Sequence, residues 1–167
     1  MSDNVPSWVR SMRRQDREIV DQARIWDILR QADVCRIAFC DEGWPYIVPM
    51  NFGCLDGRLY FHCATGGTKL DLLKSNANVC FEAEAYVEIT PGSEACGWST
   101  RYQSVIGFGH ISIVEKPEEK RLGIQALLSQ YARYTDRAMD IPTHVPENTL
   151  ILRLDIERIA GKESTKA

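Results

Sequence analysis

Residues 45–75 read PYIVPMNFGCLDGRLYFHCATGGTKLDLLKS, and the order of residue types in this stretch decides the fold. Two runs rich in β-branched and aromatic residues, PYIVPMNFG (45–53) and RLYFHC (58–63), flank Asp56-Gly57, a pair that tolerates positive φ and marks a tight hairpin. The second run passes through Gly66-Gly67 into TKLDLLKS, where Leu70, Leu72 and Leu73 behind Thr68 predict a short helix over 66–75. A strand that runs through a glycine-rich turn into a helix N-terminus gathers amide donors, the Thr68 hydroxyl and the Lys69 ammonium, which suits a phosphate. A capped helix with a solvated lysine explains the same residues. Pro49 removes a ladder hydrogen bond, so its strand lies at an edge or carries a bulge, where a ligand could approach the backbone.

Upstream, VCRIAFC (34–40) reads as a further strand, closed by the turn Asp41-Glu42-Gly43. Before it, Ile19, Val20, Ala23, Trp26 and Leu29 recur at helical steps and predict an amphipathic helix from Asp16 to Ala32, with residues 1–15 as an arm. Downstream, Val79, Phe81, Ala83 and Ala85 alternate with Cys80, Glu82 and Glu84, the mark of a strand with one apolar face. TPGSEACGWSTRY (90–102) reads as a long loop, and connections of that length are more often functional or interfacial than idle.

SVIGFGHISIVE (104–115) is a strand whose Gly107 and Gly109 bare one face, as close approach of a flat ring or another backbone requires. A β-bulge explains them equally well. Pro117 opens a helix over 117–133 with acidic neighbours that suit the helix dipole. A proline-interrupted stretch then leads to a last strand at 149–162 and a tail at 163–167. Some six strands with short helices between them predict one domain over 16–162, an antiparallel β-barrel with flanking helices.

Composition narrows the function classes. At 167 residues and 44% hydrophobic, the chain can bury one sizeable core. Twenty basic and 23 acidic side chains give a net charge of −3 without long runs of one sign, which argues against nucleic-acid partners. The polar, basic N-terminus has no following apolar stretch, and no window approaches the ~20 apolar residues of a membrane span, so a cytoplasmic location is expected. The six cysteines, none in a C-x-x-C pair, are expected as free thiols that pack as small hydrophobes.

His62, His110 and His144 are too widely spaced for a local metal motif, and no metal is expected. ATGGTK lacks P-loop spacing, GFGHIS lacks a dinucleotide fingerprint, and no G-x-S-x-G elbow occurs. His62, at a strand end, is either a hydrogen-bonded wall residue or a ligand contact.

The arm and helix with MRRQDREI, then PYIVPMNF, LYFHCATGGTKLDLL, VCFEAEA and YQSVIGFGHISIVE together resemble the nitroimidazole-resistance group of the pyridoxamine 5'-phosphate oxidase-like, FMN-binding split-barrel proteins. The resemblance spans residues 12 to 135, and the closing Ala160-Gly161-Lys162 also suits that superfamily. It implies a mainly β, Greek-key split barrel and a homodimer with FMN at the subunit interface. It sets Val48, Pro49, Met50 and Asn51 beside the isoalloxazine ring, Phe61 and His62 on the pocket wall, and Thr68 and Lys69 at the phosphate. Trp98, Ser99, Arg101 and Ser104 would reach the partner subunit's flavin. The arginine-rich cradle and C-terminal basic site of true pyridoxamine-phosphate oxidases are missing, so vitamin B6 oxidation is not expected.

In such a protein the cofactor carries the redox chemistry, which accounts for the lack of a catalytic triad. The expected activity is reduction of a small planar acceptor such as a nitroaromatic, with His62 giving a proton or only a hydrogen bond. The alternative is a flavin or haem binder for storage or sensing without turnover, since fold does not settle function.

Overall fold

The computed structural model describes residues 12–142 and 145–164, so most of the expected arm and His144 lie outside the described residues. A two-residue strand, β1 (Glu18–Ile19), precedes helix α1 (Gln22–Gln31). Strands β2 (Cys35–Asp41), β3 (Trp44–Met50), β4 (Phe52–Leu55) and β5 (Arg58–Ala64) follow, then helix α2 (Thr68–Ser75). The chain continues through β6 (Asn78–Thr90), β7 (Ser99–Ile113), helix α3 (Pro117–Tyr131) and β8 (Thr149–Ser164). Among the described residues no helix is long and apolar enough to cross a membrane.

All pairings are antiparallel, in the order β3-β2-β6-β7-β8-β5-β4, with β1 added to β8. The two ends of that path, β3 and β4, are consecutive in the chain and separated only by Asn51. The sheet therefore has to curl until its ends meet, which makes a barrel split along the seam beside β3. Two turns with paired positive φ force the tight hairpins: Glu42 and Gly43 (49° and 83°) before β3, and Asp56 and Gly57 (49° and 76°) before β5.

The expected run 45–53 is thus two strands rather than one, because the backbone changes partner at Asn51, from β2 to β5. Pro49 stays in register opposite Arg36 on an end strand of the path, so the edge explanation holds and no bulge is needed. The loop expected at 90–102 is present but shorter, at 91–98, because β6 and β7 run on as a ribbon in which Glu88 faces Arg101 and Thr90 faces Ser99. A one-residue irregularity between Glu84 and Tyr86 shifts the face of that ribbon.

The helix expected from Asp16 begins only at Gln22, where the Asp21 carboxylate accepts the Ala23 amide at 2.9 Å. Its buried stripe is Ile25, Ile28 and Leu29, while Val20 is exposed. Ile19 belongs instead to β1, opposite Gly161. The closing strand passes the expected boundary at 162, pairing Glu163 with Gln103 and Ser164 with Tyr102.

The core joins Phe39, Phe52, Phe61 and Phe81 with Ile37, Leu59, Ile111 and Leu152, all fully buried. Helix α1 caps it through its apolar stripe and α2 through Leu70. A smaller cluster of Tyr60, Val114, Ala126 and Ile151 lies beneath α3. Gly107 faces inward against the Phe81 ring, where a Cβ would stand 2.4 Å from it, and Gly109 meets the Asp155 carbonyl at a register shift in β7 and β8. The flat ring and the close backbone are the protein's own. All six cysteines are free thiols, and burial pushes Cys54 up to about 12.

Gly53 shows how closely α3 is seated: a Cβ there would lie 2.2 Å from the Ala126 carbonyl carbon, a backbone atom with no rotamer to escape into. Gly53→Ala is expected to lower stability by about 2–3 kcal/mol through overpacking. Urea unfolding checks it, and an unchanged midpoint would show that α3 is not held against β4.

Candidate cofactor site

Strand alternation sorts the residues around the seam. On β3 and β5 the side chains of Met50, Phe61 and Cys63 enter the core, and Val48 packs against it. Phe61 stacks on Phe52 with centroids 6.3 Å apart. These residues can offer a ligand only main-chain groups or a wall. Pro49, Asn51, His62 and Thr68 are exposed and Lys69 is half-buried. His62 lies on the face of β5 opposite Phe61, the face Tyr60 shares with α3, so the two side chains do not form one wall.

The N-terminus of α2 is open. Gly67 at the cap has φ 116°, and a Cβ built on Gly66 or Gly67 meets nothing within 4 Å. The Leu70 and Asp71 amides turn back to the Gly67 carbonyl, which leaves the earlier amides of the first turn, at Thr68 and Lys69, directed at that space. The Lys69 ammonium lies near the end of β5, where it offsets part of the rise that burial imposes on the Cys63 thiol. Two amides, a hydroxyl and an ammonium at an open helix N-terminus fit a phosphate monoester. The helix is tied to β2 by the Asn76 side-chain amide, which donates to the Cys40 carbonyl at 3.0 Å.

Trp98, Ser99, Arg101 and Ser104 lie elsewhere. β7 is the third strand over from β3, roughly 14 Å at ordinary strand spacing. Trp98 is exposed near the ribbon tip. Arg101 pairs with Glu88 at 2.9 Å and covers the Tyr86 ring, with its Nε buried and unpartnered. Ser104 lines a recess of about 190 Å³ with Ile106, Phe108, Ala160 and Lys162 on the outer face of the sheet. Within one chain, the structure does not bring this group to the seam.

That outer face is largely apolar, carrying Ile47, Pro49, Ala38, Cys80, Ile106 and Phe108, with Ile47 62% and Ile106 48% exposed. In its midst Arg36 bridges Glu82 at 2.9 Å and Glu84 at 3.4 Å. Burial raises the Glu82 carboxyl above its ordinary value, against the opposing pull of Arg36.

Sequence reasoning missed one cluster near the seam. Tyr131, at the end of α3, donates to the Asp33 carbonyl at 2.8 Å and accepts the Phe52 amide at 3.1 Å. These partners lie some 80 to 100 positions away, so no local pattern signals them.

A family model described as pyridoxamine 5'-phosphate oxidase matches residues 21–163. No curated protein matches significantly. Among solved structures, a candidate 5-nitroimidazole antibiotic resistance protein from Bacteroides thetaiotaomicron is 31% identical, with 87% of this chain and 85% of that one covered at a TM-score of 0.73. An FAD and haem binding protein from Mycobacterium smegmatis is similar in fold, with 22% identity, 90% and 74% coverage and a TM-score of 0.73. So is a flavocytochrome from Azotobacter vinelandii, with 16% identity, 96% and 75% coverage and a TM-score of 0.75. Barrel, seam and helix N-terminus all fall inside the matched span, and the chain belongs to the pyridoxamine 5'-phosphate oxidase family.

Proposed function

We propose that the chain is a flavoprotein that binds FMN between the free edge of β3 and the N-terminus of α2, works as a homodimer, and reduces a small planar acceptor such as a nitroaromatic. The open Gly66-Gly67 turn carries this reading, because it leaves the α2 N-terminus, with Thr68 and Lys69 in its first turn, uncovered. The relative described for nitroimidazole resistance, at 31% identity, supports the acceptor class. The FAD and haem binding protein and the flavocytochrome support a flavin on this fold.

Bound flavin supplies the hydride and electron transfer. The chain supplies position. Thr68 and Lys69 hold the phosphate, and the main chain of Val48, Pro49, Met50 and Asn51 runs beside the ring along an edge that has no strand partner among the described residues. Phe61 backs the pocket from the core, while exposed His62 is the candidate proton donor to the acceptor.

Trp98, Ser99, Arg101 and Ser104 lie too far from this edge to serve their own chain and come to it from a second copy. The apolar outer face, left exposed in one chain, supports that association. Isologous pairing would bury Ile47 and Ile106.

Wild-type protein is expected to keep visible flavin absorbance after desalting with FMN. Thr68→Ala with Lys69→Ala should raise the FMN Kd about 100-fold, since two charge-assisted phosphate contacts are lost. No flavin bands in wild type would remove the flavin reading and leave a haem or other small-ligand binder.

His62→Ala should lower turnover of a nitro compound at least about tenfold with FMN affinity unchanged, within the usual range for losing a general acid. Untouched turnover rules out the acid role. Ile106→Lys should sediment as a monomer and lose FMN together with the dimer. Monomeric wild type that still holds FMN would contradict a shared site.

A further inference from the structure

The end of α3 grips the chain where α1 stops. Buried Gln130 donates through Nε2 to the Leu29 and Ala32 carbonyls at 2.8 and 2.9 Å. Arg133 donates to the Arg30 and Gln31 carbonyls at 3.1 and 3.0 Å and pairs with Asp33. Both side chains satisfy carbonyls that a helix end leaves without partners. Their role is accounted for by stability alone.

Tyr131 differs, because its hydroxyl reaches beyond α1 to the joint between β3 and β4. It donates to the Asp33 carbonyl at 2.8 Å and accepts the Phe52 amide at 3.1 Å. That amide belongs to the peptide linking Asn51 to Phe52, so the hydroxyl fixes the plane that also carries the Asn51 carbonyl. Phe52 is fully buried and stacked on Phe61, so one side of the peptide is already anchored in the core. On the other side Asn51 is exposed and lies between two strands. The rotation of this peptide is where the barrel joint could yield. Burial raises the Tyr131 hydroxyl above its ordinary pKa.

We propose that Tyr131 is a positioning residue for the cofactor edge: its hydroxyl locks the Asn51–Phe52 peptide so that the Asn51 main chain meets the flavin in a fixed orientation. Tyr131 touches no cofactor itself. The proposal rests on the flavin reading above.

The test compares Tyr131→Phe with Arg133→Ala in the full chain. Tyr131→Phe keeps the ring and removes the lock, and should raise the FMN Kd about tenfold and shift the bound flavin's visible band shape toward that of free flavin. Without flavin, it should also speed hydrogen exchange at the Phe52 amide relative to wild type. Arg133→Ala weakens the grip on α1 without touching Phe52, and should lower Tm while leaving Kd and band shape at wild-type values.

The proposal is overturned if Tyr131→Phe lowers Tm as Arg133→Ala does but keeps wild-type affinity and spectrum. Unchanged exchange at Phe52 overturns the lock whether or not flavin binds. Wild type that binds no FMN overturns the underlying flavin reading instead.

Discussion

The structure depends on one covalent constraint: the two ends of the sheet are consecutive strands joined by Asn51 alone. An open sheet with those pairings could not keep β3 and β4 at opposite ends, so the sheet has to close on itself. Closure draws α3 over β4 at a distance only glycine at position 53 allows. At the same joint the Phe52 amide donates to the Tyr131 hydroxyl. Packing around the joint follows from connectivity.

The same constraint shapes the candidate site. Because β3 ends the sheet path, its outer edge keeps unpaired main-chain groups, which are normally a liability. Here that edge runs into the joint, and β5 leads on from the same region into the open turn before α2. Alternation gives the core the side chains of Met50 and Phe61, and leaves the backbone of Met50 at the seam while that of Phe61 lies between β4 and β8. Cofactor binding of this kind places few demands on side-chain identity at the ring. On the proposed reading the phosphate end would make sharper demands, since Gly66 and Gly67 leave the helix N-terminus open and Lys69 would supply the charge.

Much of this was legible in the sequence. Asp56-Gly57, the proline at 117 and the alternation from Val79 to Ala83 act locally, through turn geometry, a missing amide hydrogen and strand period, and each appears in the structure as read. Of the resemblance visible in the joined motifs, the broader pyridoxamine 5'-phosphate oxidase family is what matches. What escaped was set by distant partners. Val20 reads as apolar helix face, yet the Asp21 cap starts the helix after it and hands the core to Ile25, Ile28 and Leu29. The turn-rich stretch 90–102 keeps its loop only at 91–98, since pairs such as Glu88 with Arg101 and Thr90 with Ser99 draw its two ends into the ribbon. Gly107 and Gly109 do admit a ring and a backbone, those of Phe81 and Asp155, which no sequence window connects to them.

On the proposed reading, the α2 N-terminus holds the phosphate of a flavin mononucleotide. Titrating the protein with FMN and with riboflavin, which lacks only the phosphate, measures that contribution directly by flavin fluorescence. If Thr68, Lys69 and the first-turn amides hold the phosphate, FMN should bind at least about tenfold more tightly than riboflavin at moderate salt. Equal affinity for the two would contradict the account and leave this helix end as an ordinary capped turn.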